Sequence, residues 1–315
     1  MNEHRNNVSV VLASFNGIKY IKEQLDSLRT QTRIPDEVII SDDNSTDGTY
    51  EFCREYISEH KLIGWTVYRN PENLGAGRNF REALKKCTGD YIFTCDQDDI
   101  WMPDKISVMV QAMNDNPAIL LLASNYIPVM NGTRIQYYVK NISRDDGEII
   151  PLRLKDYWLN NHRPGCTFCF RRKILERFSV MDISTRFHDS MLWKYAVISD
   201  GLYLINRQLI QFRRHEANTT NQFSRIPPSI TQRIKDADVE IDLYRNFLDV
   251  SDALMITPEN VKAMKRKIKF IEHRKKILAK RNPFTLSLFV LFNIKYYPTF
   301  RNALSDIYAS IKHRE

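Results

Sequence analysis

The sequence lacks the glycine-rich loops with which the common nucleotide-binding folds hold phosphate. Only 10 of its 315 residues are glycine, and no segment matches the GxxxxGK[ST] loop, whose backbone N–H groups cradle phosphate. Residues 75–80 begin like a dinucleotide fingerprint, but Phe80 stands where the third glycine belongs. A phosphorylated ligand would therefore need another partner for its charge, and a metal ion is the natural one.

A second CxxC pair and long apolar runs are also missing. The first seven residues are polar and run directly into a strand pattern, so we expect no secretory signal. Five cysteines are an odd number in a chain of this size, which fits a reducing compartment. Cys166 and Cys169 form one CxxC pair, but no second pair completes a zinc site, so we expect structural thiols.

The positive charge is concentrated near the C-terminus. The net charge is +8, and residues 258–281 hold ten Lys/Arg against Glu259 and Glu272, which is the same excess of +8. Such a segment indicates an anionic partner, either membrane lipid or nucleic acid. The rest of the chain carries no net charge, so we expect no nucleic-acid partner. The apolar run that follows, residues 284–294, is short of the ~20 residues that span a bilayer; it fits either a helix in the membrane interface or one packed on the catalytic domain.

Apolar β-prone runs alternate with helical patterns in the first hundred residues. We predict strands at residues 8–13, 38–40, 65–68 and 91–93, with helices near 18–30, 49–60 and up to residue 87. This alternation is typical of a parallel α/β sheet. Further strands are expected at 119–124, 168–170 and 209–212, and from about residue 227 the spacing becomes helical throughout.

The most informative stretch is residues 93–101, where an apolar strand ends at three carboxylates in four positions. Asp96, Asp98 and Asp99 repel one another and raise each other's pKa unless a cation lies among them. Carboxylate oxygens suit a hard divalent ion, Mg²⁺ or Mn²⁺. A solvated acidic turn is the alternative, and the apolar residues Ile100 and Trp101 that follow count against it.

Ligands of parallel α/β sheets bind beyond the carboxyl ends of the strands. Polar or turn residues follow three strands here, at positions 15–16, 42–47 and 96–99. Together they would line one crevice. The pattern suits a nucleotide held through its base and ribose, with its diphosphate neutralised by metal.

The order of these motifs resembles that of family 2 glycosyltransferases with the GT-A fold. The segments that carry the resemblance are residues 13–17, 42–47, 73–75 and 96–101. Residues 165–167, 188–189 and 213–218 resemble one bacterial branch, described as rhamnosyltransferase-like. The resemblance covers roughly residues 8–220, and it depends on order and spacing rather than on any one motif.

The resemblance implies a fold and a division of the chain. Residues 1–225 would form the GT-A catalytic domain, a mostly parallel twisted sheet flanked by helices. Its nucleotide-sugar half would cover about residues 1–105 and its acceptor half about 106–225. Residues 226–315 would form a helical, basic and amphipathic extension.

The resemblance also implies nucleotide contacts. Asp43 would contact the base, and Asp42 or Asp47 would help to hold the nucleoside, together with Phe15 and Asn16. Asx turns and helix caps favour the same residue types, so Asp42 and Asp47 could serve the backbone instead.

The remaining roles fall on the acidic cluster and on two later positions. Asp96 and Asp98 match the DxD element, so that Asp96 would bind ribose and Asp98 the metal, or both would share the ion. Asp189 matches the general base, although a helix cap is the alternative. His215 would contact metal or phosphate, although a solitary histidine is often structural.

The implied activity is inverting, metal-dependent transfer of a sugar from a nucleotide-diphosphate donor such as dTDP-rhamnose. The acceptor would be a glycan or a lipid-linked glycan of bacterial surface polysaccharide, which places the protein in the cytoplasm or on the inner face of the membrane. One alternative is a phosphotransferase or phosphatase that uses the DxD, although Asp99 is unusual after its second aspartate. The other is a non-catalytic protein that binds a nucleotide-sugar or nucleic acid.

Overall fold

A computed structural model describes residues 6–136, 139, 141–178, 188–215, 228–297 and 299–312. The chain divides into two compact units: Met1–Leu152 with Asn161–Glu216, and Arg153–Asn160 with Ala217–Glu315. Sequence patterning did not assign Arg153–Asn160 to the helical unit. The predicted boundary between residues 225 and 226 lies outside the described residues and stays a prediction.

Four parallel strands open the first unit in the order β3-β2-β1-β4. These strands are β1 Val8–Ser14, β2 Glu37–Asp42, β3 Trp65–Arg69 and β4 Tyr91–Asp96. The helices between them are α1 Ile21–Arg29, α2 Thr49–Glu59 and α3 Ala76–Leu84. The strands at β1, β2 and β4 are buried along nearly their whole length, as expected of parallel strands covered on both faces.

The second half of the same sheet is mixed. Its strands are β5 Ile100–Trp101, β6 Leu121–Met130, β7 Thr133–Arg134, β8 Ile149–Pro151, β9 Phe168–Arg171 and β10 Leu202–Arg213. Its helices are α4 Lys105–Asp115, α6 Lys173–Phe178 and α7 His188–Ile198. The full order is β3-β2-β1-β4-β9-β6-β10-β5, with β7 on β6 and β8 on β10. The predicted α/β fold with flanking helices is confirmed.

The directions of the strands bring four carboxyl ends to one edge of the sheet. In β1, Ser14 is in register with Asp42 of β2, and Ala13 with Asp96 of β4. The strand β9 is antiparallel to both β4 and β6, and β6 is parallel to β10. The strand β10 therefore runs in the direction of β4, so its last residue, Arg213, lies at the same edge.

The second unit is helical, as the sequence predicts. It contains α5 Leu154–Tyr157, α8 Ile230–Asp249, α9 Pro258–Ala279, α10 Pro283–Asn293 and α11 Phe300–Lys312. Side chains of Ser229, Thr257 and Asn282 accept hydrogen bonds from the first turns of α8, α9 and α10. Among the described residues, none of the helices has the length and apolar character that crossing a bilayer requires.

Candidate functional site

The loop after β2 is tied to the loop after β1 by a buried aspartate. The carboxylate of Asp42 accepts hydrogen bonds from Ser14 Oγ (3.2 Å), Ser45 N (2.9 Å) and Ser45 Oγ (2.5 Å). Asn16 has a left-handed backbone (φ 47°), and its Oδ1 accepts from Thr46 N (2.9 Å). The hydrogen bonds of Asp42 thus hold the loop after β2 against the end of β1. Its contact with a nucleoside stays a prediction.

Asp43 directly follows β2, and its side chain holds the loop that leads into α3. It is buried and accepts from Asn70 Nδ2 (2.9 Å), Leu74 N (2.8 Å) and Gly75 N (2.8 Å). Gly75 has φ 79°, which favours glycine. A carboxylate offers about four acceptor positions, so Asp43 could still accept a hydrogen bond from a base.

Asp47 serves the start of α2. Its Oδ1 accepts from Thr49 N (3.1 Å) and Thr49 Oγ1 (2.5 Å), and its Oδ2 accepts from Ile18 N (3.1 Å). Burial raises the pKa of Asp47, but the bonds from Thr49 and Ile18 outweigh it and hold the pKa below its usual range. This is the backbone role that the sequence left open as an alternative.

Phe15 is joined to the acidic cluster through Gln97. The Phe15 N–H donates to Gln97 Oε1 (2.9 Å), and Gln97 Nε2 donates to the Phe15 carbonyl (3.0 Å). A Cβ on Gly17 would lie 2.1 Å from Gln97 Oε1, so the glycine leaves room for this bridge. The ring of Phe15 stays exposed.

The acidic cluster lies at the end of β4, with each carboxylate held differently. Asp99 is buried; its Oδ1 accepts from Arg213 N (2.9 Å), and its Oδ2 has no hydrogen-bond partner among the described residues. Asp98 Oδ2 lies 2.7 Å from His215 Nε2. The predicted DxD residues and His215 are therefore brought to one edge of the sheet by β4 and β10.

The electrostatics of the cluster would favour a bound cation. Burial, followed by the charges of Asp98 and Asp189, raises the pKa of Asp96 from 3.8 to about 7. Burial and the charges of Asp98 and Asp96 raise the pKa of Asp99 well above its usual value. An ion among these oxygens would stabilise the charged carboxylates, and oxygen donors are the ligands that Mg²⁺ and Mn²⁺ prefer, so the residues fit a hard divalent ion.

Two sets of residues could hold this ion. The predicted set is Asp96, Asp98 and His215. Within the described part of the chain, the donor atoms of Asp96, Asp99 and Cys166 lie within 4.8 Å of one another. Burial and the charges of Asp99 and Asp96 raise the pKa of the Cys166 thiol, and a protonated thiol is a poor ligand for a hard ion. We therefore favour the oxygen donors of Asp96 and Asp98.

Binding of Mn²⁺ is expected to weaken below about pH 7, because Asp96 must lose a proton to bind the ion. The pKa of Asp96 is raised in the folded state, so the folded protein binds this proton more tightly than the unfolded chain does. The free energy of unfolding of the metal-free protein therefore falls as pH rises from about 4 to about 7. Isothermal titration calorimetry at about pH 5.5 and about pH 7.5 measures the Mn²⁺ affinity. We expect this affinity to fall by up to about tenfold for each pH unit below the pKa of Asp96. Equal affinities at both pH values would contradict this prediction.

Asp189 lies near the cluster, in the first turn of α7. Its Oδ1 accepts from Ser190 N (2.7 Å), as in a helix cap. Its charge is also among the causes that raise the pKa of Asp96. The structure therefore allows both the predicted base and the cap, and it places the carboxylate within electrostatic reach of the proposed metal site.

Tyr20 was not identified from the sequence. Its ring stacks on His215 (centroids 4.8 Å apart, 23° between planes), and the guanidinium of Arg213 lies 4.8 Å from its centroid. Arg213 Nη2 also donates to Glu23 Oε2 (2.7 Å). These contacts join α1 to the end of β10. Tyr20 lies inside the helix predicted near residues 18–30 and one residue before the observed α1, and neither position gives a signal of such a role.

Lys105 was also missed. It is fully buried at the start of α4, donates from Nζ to the Cys166 carbonyl (2.7 Å) and lies 3.9 Å from the centroid of the Trp101 ring. Burial lowers its pKa to about 8, while nearby thiols and Asp99 act in the opposite sense. Lys105 puts positive charge behind the carboxylates, but lysine is rarely buried, so its sequence position predicts a surface residue.

The chain is similar to known glycosyltransferases. The family model described as "Glycosyl transferase family 2" matches residues 9–178. The dTDP-rhamnosyl transferase RfbG of Shigella flexneri is 31% identical over 218 residues, which cover 66% of this chain and 72% of RfbG. The putative teichuronic acid biosynthesis glycosyltransferase TuaG of Bacillus subtilis is 27% identical, covering 65% of this chain and 78% of TuaG.

Solved structures share the fold at low identity. S. aureus TarS 1-349 in complex with UDP-GlcNAc aligns with a TM-score of 0.61 at 18% identity, over 97% of this chain and 81% of that one. The mannosyltransferase PcManGT of Pyrobaculum calidifontis, in complex with GDP-Man and Mn²⁺, aligns with a TM-score of 0.54 at 18% identity, over 99% and 89%.

Proposed function

The chain belongs to glycosyl transferase family 2, and from this premise we propose that it moves a sugar from a nucleotide-diphosphate donor to a glycan or lipid-linked acceptor in bacterial surface polysaccharide synthesis. The observation that carries the proposal is the shared edge of the sheet. There the ends of β1, β2, β4 and β10 bring together the crevice loops, the acidic cluster and His215.

The proposed donor is dTDP-rhamnose. It is supported by the similarity to RfbG, which is named a dTDP-rhamnosyl transferase. The structural neighbours TarS and PcManGT are described with UDP-GlcNAc and GDP-Man, so the fold by itself selects no donor. The similarity to TuaG, named for teichuronic acid biosynthesis, supports a polysaccharide acceptor.

The cofactor we propose is Mn²⁺ or Mg²⁺, held by Asp96 and Asp98 with His215. The support is the group of carboxylates at the end of β4, the raised pKa of Asp96 and the Mn²⁺ named in the PcManGT complex. When bound, the ion would supply positive charge against the leaving diphosphate, a contribution of several kcal/mol.

The chain's own residues would carry out the other tasks. Asp43 and the ring of Phe15 would hold the nucleoside over the ends of β1 and β2. Asp189 would accept the proton of the acceptor hydroxyl while that oxygen bonds to the anomeric carbon. The bond from this carbon to the diphosphate breaks in the same step, so the configuration inverts. Asp42, Asn16 and Gln97 would keep the loops in place through the hydrogen bonds described above.

Thermal-shift titration with dTDP-rhamnose, UDP-sugars and GDP-sugars in Mn²⁺ tests the donor. We expect dTDP-rhamnose to give the largest rise in Tm, because a ligand that binds only the folded state adds about 2.7 kcal/mol at a hundred times its Kd. Stabilisation by a UDP-sugar alone would exclude the rhamnose donor and leave the glycosyltransferase assignment intact. Binding without product in a transfer assay would favour the alternative of a non-catalytic protein that binds a nucleotide-sugar.

A further inference from the structure

The helix α11 of the second unit buries a face of small and polar side chains and exposes a stripe of large apolar ones. Ala303, Asp306, Ala309 and Ser310 are buried. The exposed side chains recur at helical spacing and are between 47% and 66% exposed: Phe300, Leu304, Tyr308 and Ile311. A helix on a water-soluble surface normally does the opposite.

Asp306 fixes this orientation. Its fully buried carboxylate accepts hydrogen bonds from Arg233 Nη1 (3.0 Å), Arg274 Nε (2.6 Å), Arg274 Nη2 (2.7 Å) and the Tyr297 hydroxyl (2.9 Å). Rotating α11 to bury its apolar stripe would break these bonds and leave buried guanidinium groups without their carboxylate. The hydrogen bonds of Asp306 therefore keep the apolar stripe of α11 exposed.

The neighbouring helix α10 extends the apolar surface. It is apolar on all sides: Leu286, Phe289 and Val290 are buried, and a second stripe is between 49% and 80% exposed, formed by Phe284, Leu288, Leu291 and Phe292. The helices α10 and α11 contact each other. Of the 17 exposed large hydrophobic residues described, nine lie within residues 284–311. Such a concentration indicates a binding surface rather than scattered exposure.

Cations lie next to this surface in the sequence, and residues 280–312 contain no exposed acid to balance them. Lys280 and Arg281 precede α10, Lys295 follows it, and Arg301 lies in the first turn of α11; all four are exposed. The only acidic residue in positions 280–312 is Asp306, which is buried and paired. The side chains that α10 and α11 offer to a partner are thus apolar and positively charged.

We propose that the surface formed by α10 and α11 lies in the interface of an anionic lipid bilayer. Apolar side chains would enter the boundary between headgroups and acyl chains while the flanking cations bind lipid phosphates. A second copy of this chain fits less well, because a symmetric contact would bring these cations together with no exposed acid to pair them. At 11 and 13 residues, neither helix can cross a membrane. This inference rests on the surface alone and not on the proposed function.

Flotation of the full chain with vesicles tests the inference. We expect binding to phosphatidylcholine vesicles with about one-third phosphatidylglycerol, at least tenfold tighter than to pure phosphatidylcholine. The affinity for the vesicles with phosphatidylglycerol should fall at least about tenfold in the double variant Phe292→Glu/Leu304→Glu. It should fall about fivefold in Lys295→Gln, which is the effect of one interfacial cation. The matched control is Ile63→Glu in the first unit, where a single side chain is 96% exposed; it should bind like the wild type.

Three outcomes would overturn the inference. They are equal binding of the wild type and the double variant, failure of the wild type to bind either vesicle, and a wild-type dimer in light scattering that the double variant abolishes without any vesicle binding. The last would assign the surface to a second copy. Because the substituted side chains are exposed, melting curves should stay close to wild type and exclude misfolding as the cause.

Discussion

The variant Asp98→Ala is expected to lose at least about a thousandfold in the rate of transfer at saturating donor and Mn²⁺. The reason is the loss of a proposed metal ligand at the point where the leaving diphosphate gains its charge. A contribution of several kcal/mol, taken as about 4, corresponds to about three powers of ten in rate. Initial rates of nucleotide diphosphate release, with and without Mn²⁺, measure the effect.

Two controls make this result specific. Asp115→Ala removes an exposed carboxylate at the end of α4, and we expect its rate to stay within about twofold of wild type, as is usual for surface substitutions. Titration of Asp98→Ala with Mn²⁺ should give at least tenfold weaker binding, even without donor. Substantial transfer by the variant in added Mn²⁺, or unchanged affinity for the ion, would remove Asp98 from the metal site.

The position of the site could be predicted because it depends on local pattern. The apolar runs at residues 8–13, 38–40 and 91–93 each stop at polar residues, and parallel strands must bring their carboxyl ends to one edge. The structure has these strands and this edge. The polar ends of β1, β2 and β4 meet there for the reason that the sequence predicts.

The second half of the sheet could not be predicted in the same way. The strand β9 was predicted but not its antiparallel place between β4 and β6, and β10 begins at Leu202 rather than near residue 209. Strand pairing is decided by residues far apart in sequence, which a local pattern does not report. His215 and Arg213 reach the acidic cluster only because of that pairing.

Two further kinds of information were missing from the sequence. The first is the burial of a residue type that is usually exposed: the lysine Lys105 is buried next to Trp101. The second is the choice between ligand and backbone. Asp42 and Asp47 both hydrogen bond to turns in the structure, and since turns and nucleosides favour the same side chain, no sequence pattern separates the two uses.

The variant Asp189→Asn is expected to lower kcat by about 10²–10⁴, the usual contribution of a positioned general base, while donor binding stays near wild type. The asparagine keeps a side-chain acceptor for Ser190 N but cannot take the acceptor's proton at neutral pH. Steady-state rates with saturating donor and varied acceptor measure the loss. Thermal shift with the donor measures its binding.

A second substitution separates the base from the helix cap. Asp189→Ser keeps a good capping group for α7 and also removes the base, so it should be as slow as Asp189→Asn. Both variants also remove a negative charge that lies within electrostatic reach of the proposed metal site, so both should bind Mn²⁺ somewhat more weakly than wild type but still retain it. A serine variant with near wild-type kcat would mean that Asp189 only caps the helix, and the proton would then need another acceptor. Loss of transfer in both variants, with Mn²⁺ and donor still bound and melting temperatures near that of the wild type, would identify Asp189 as the proton acceptor, because damage to the fold would lower the melting temperature.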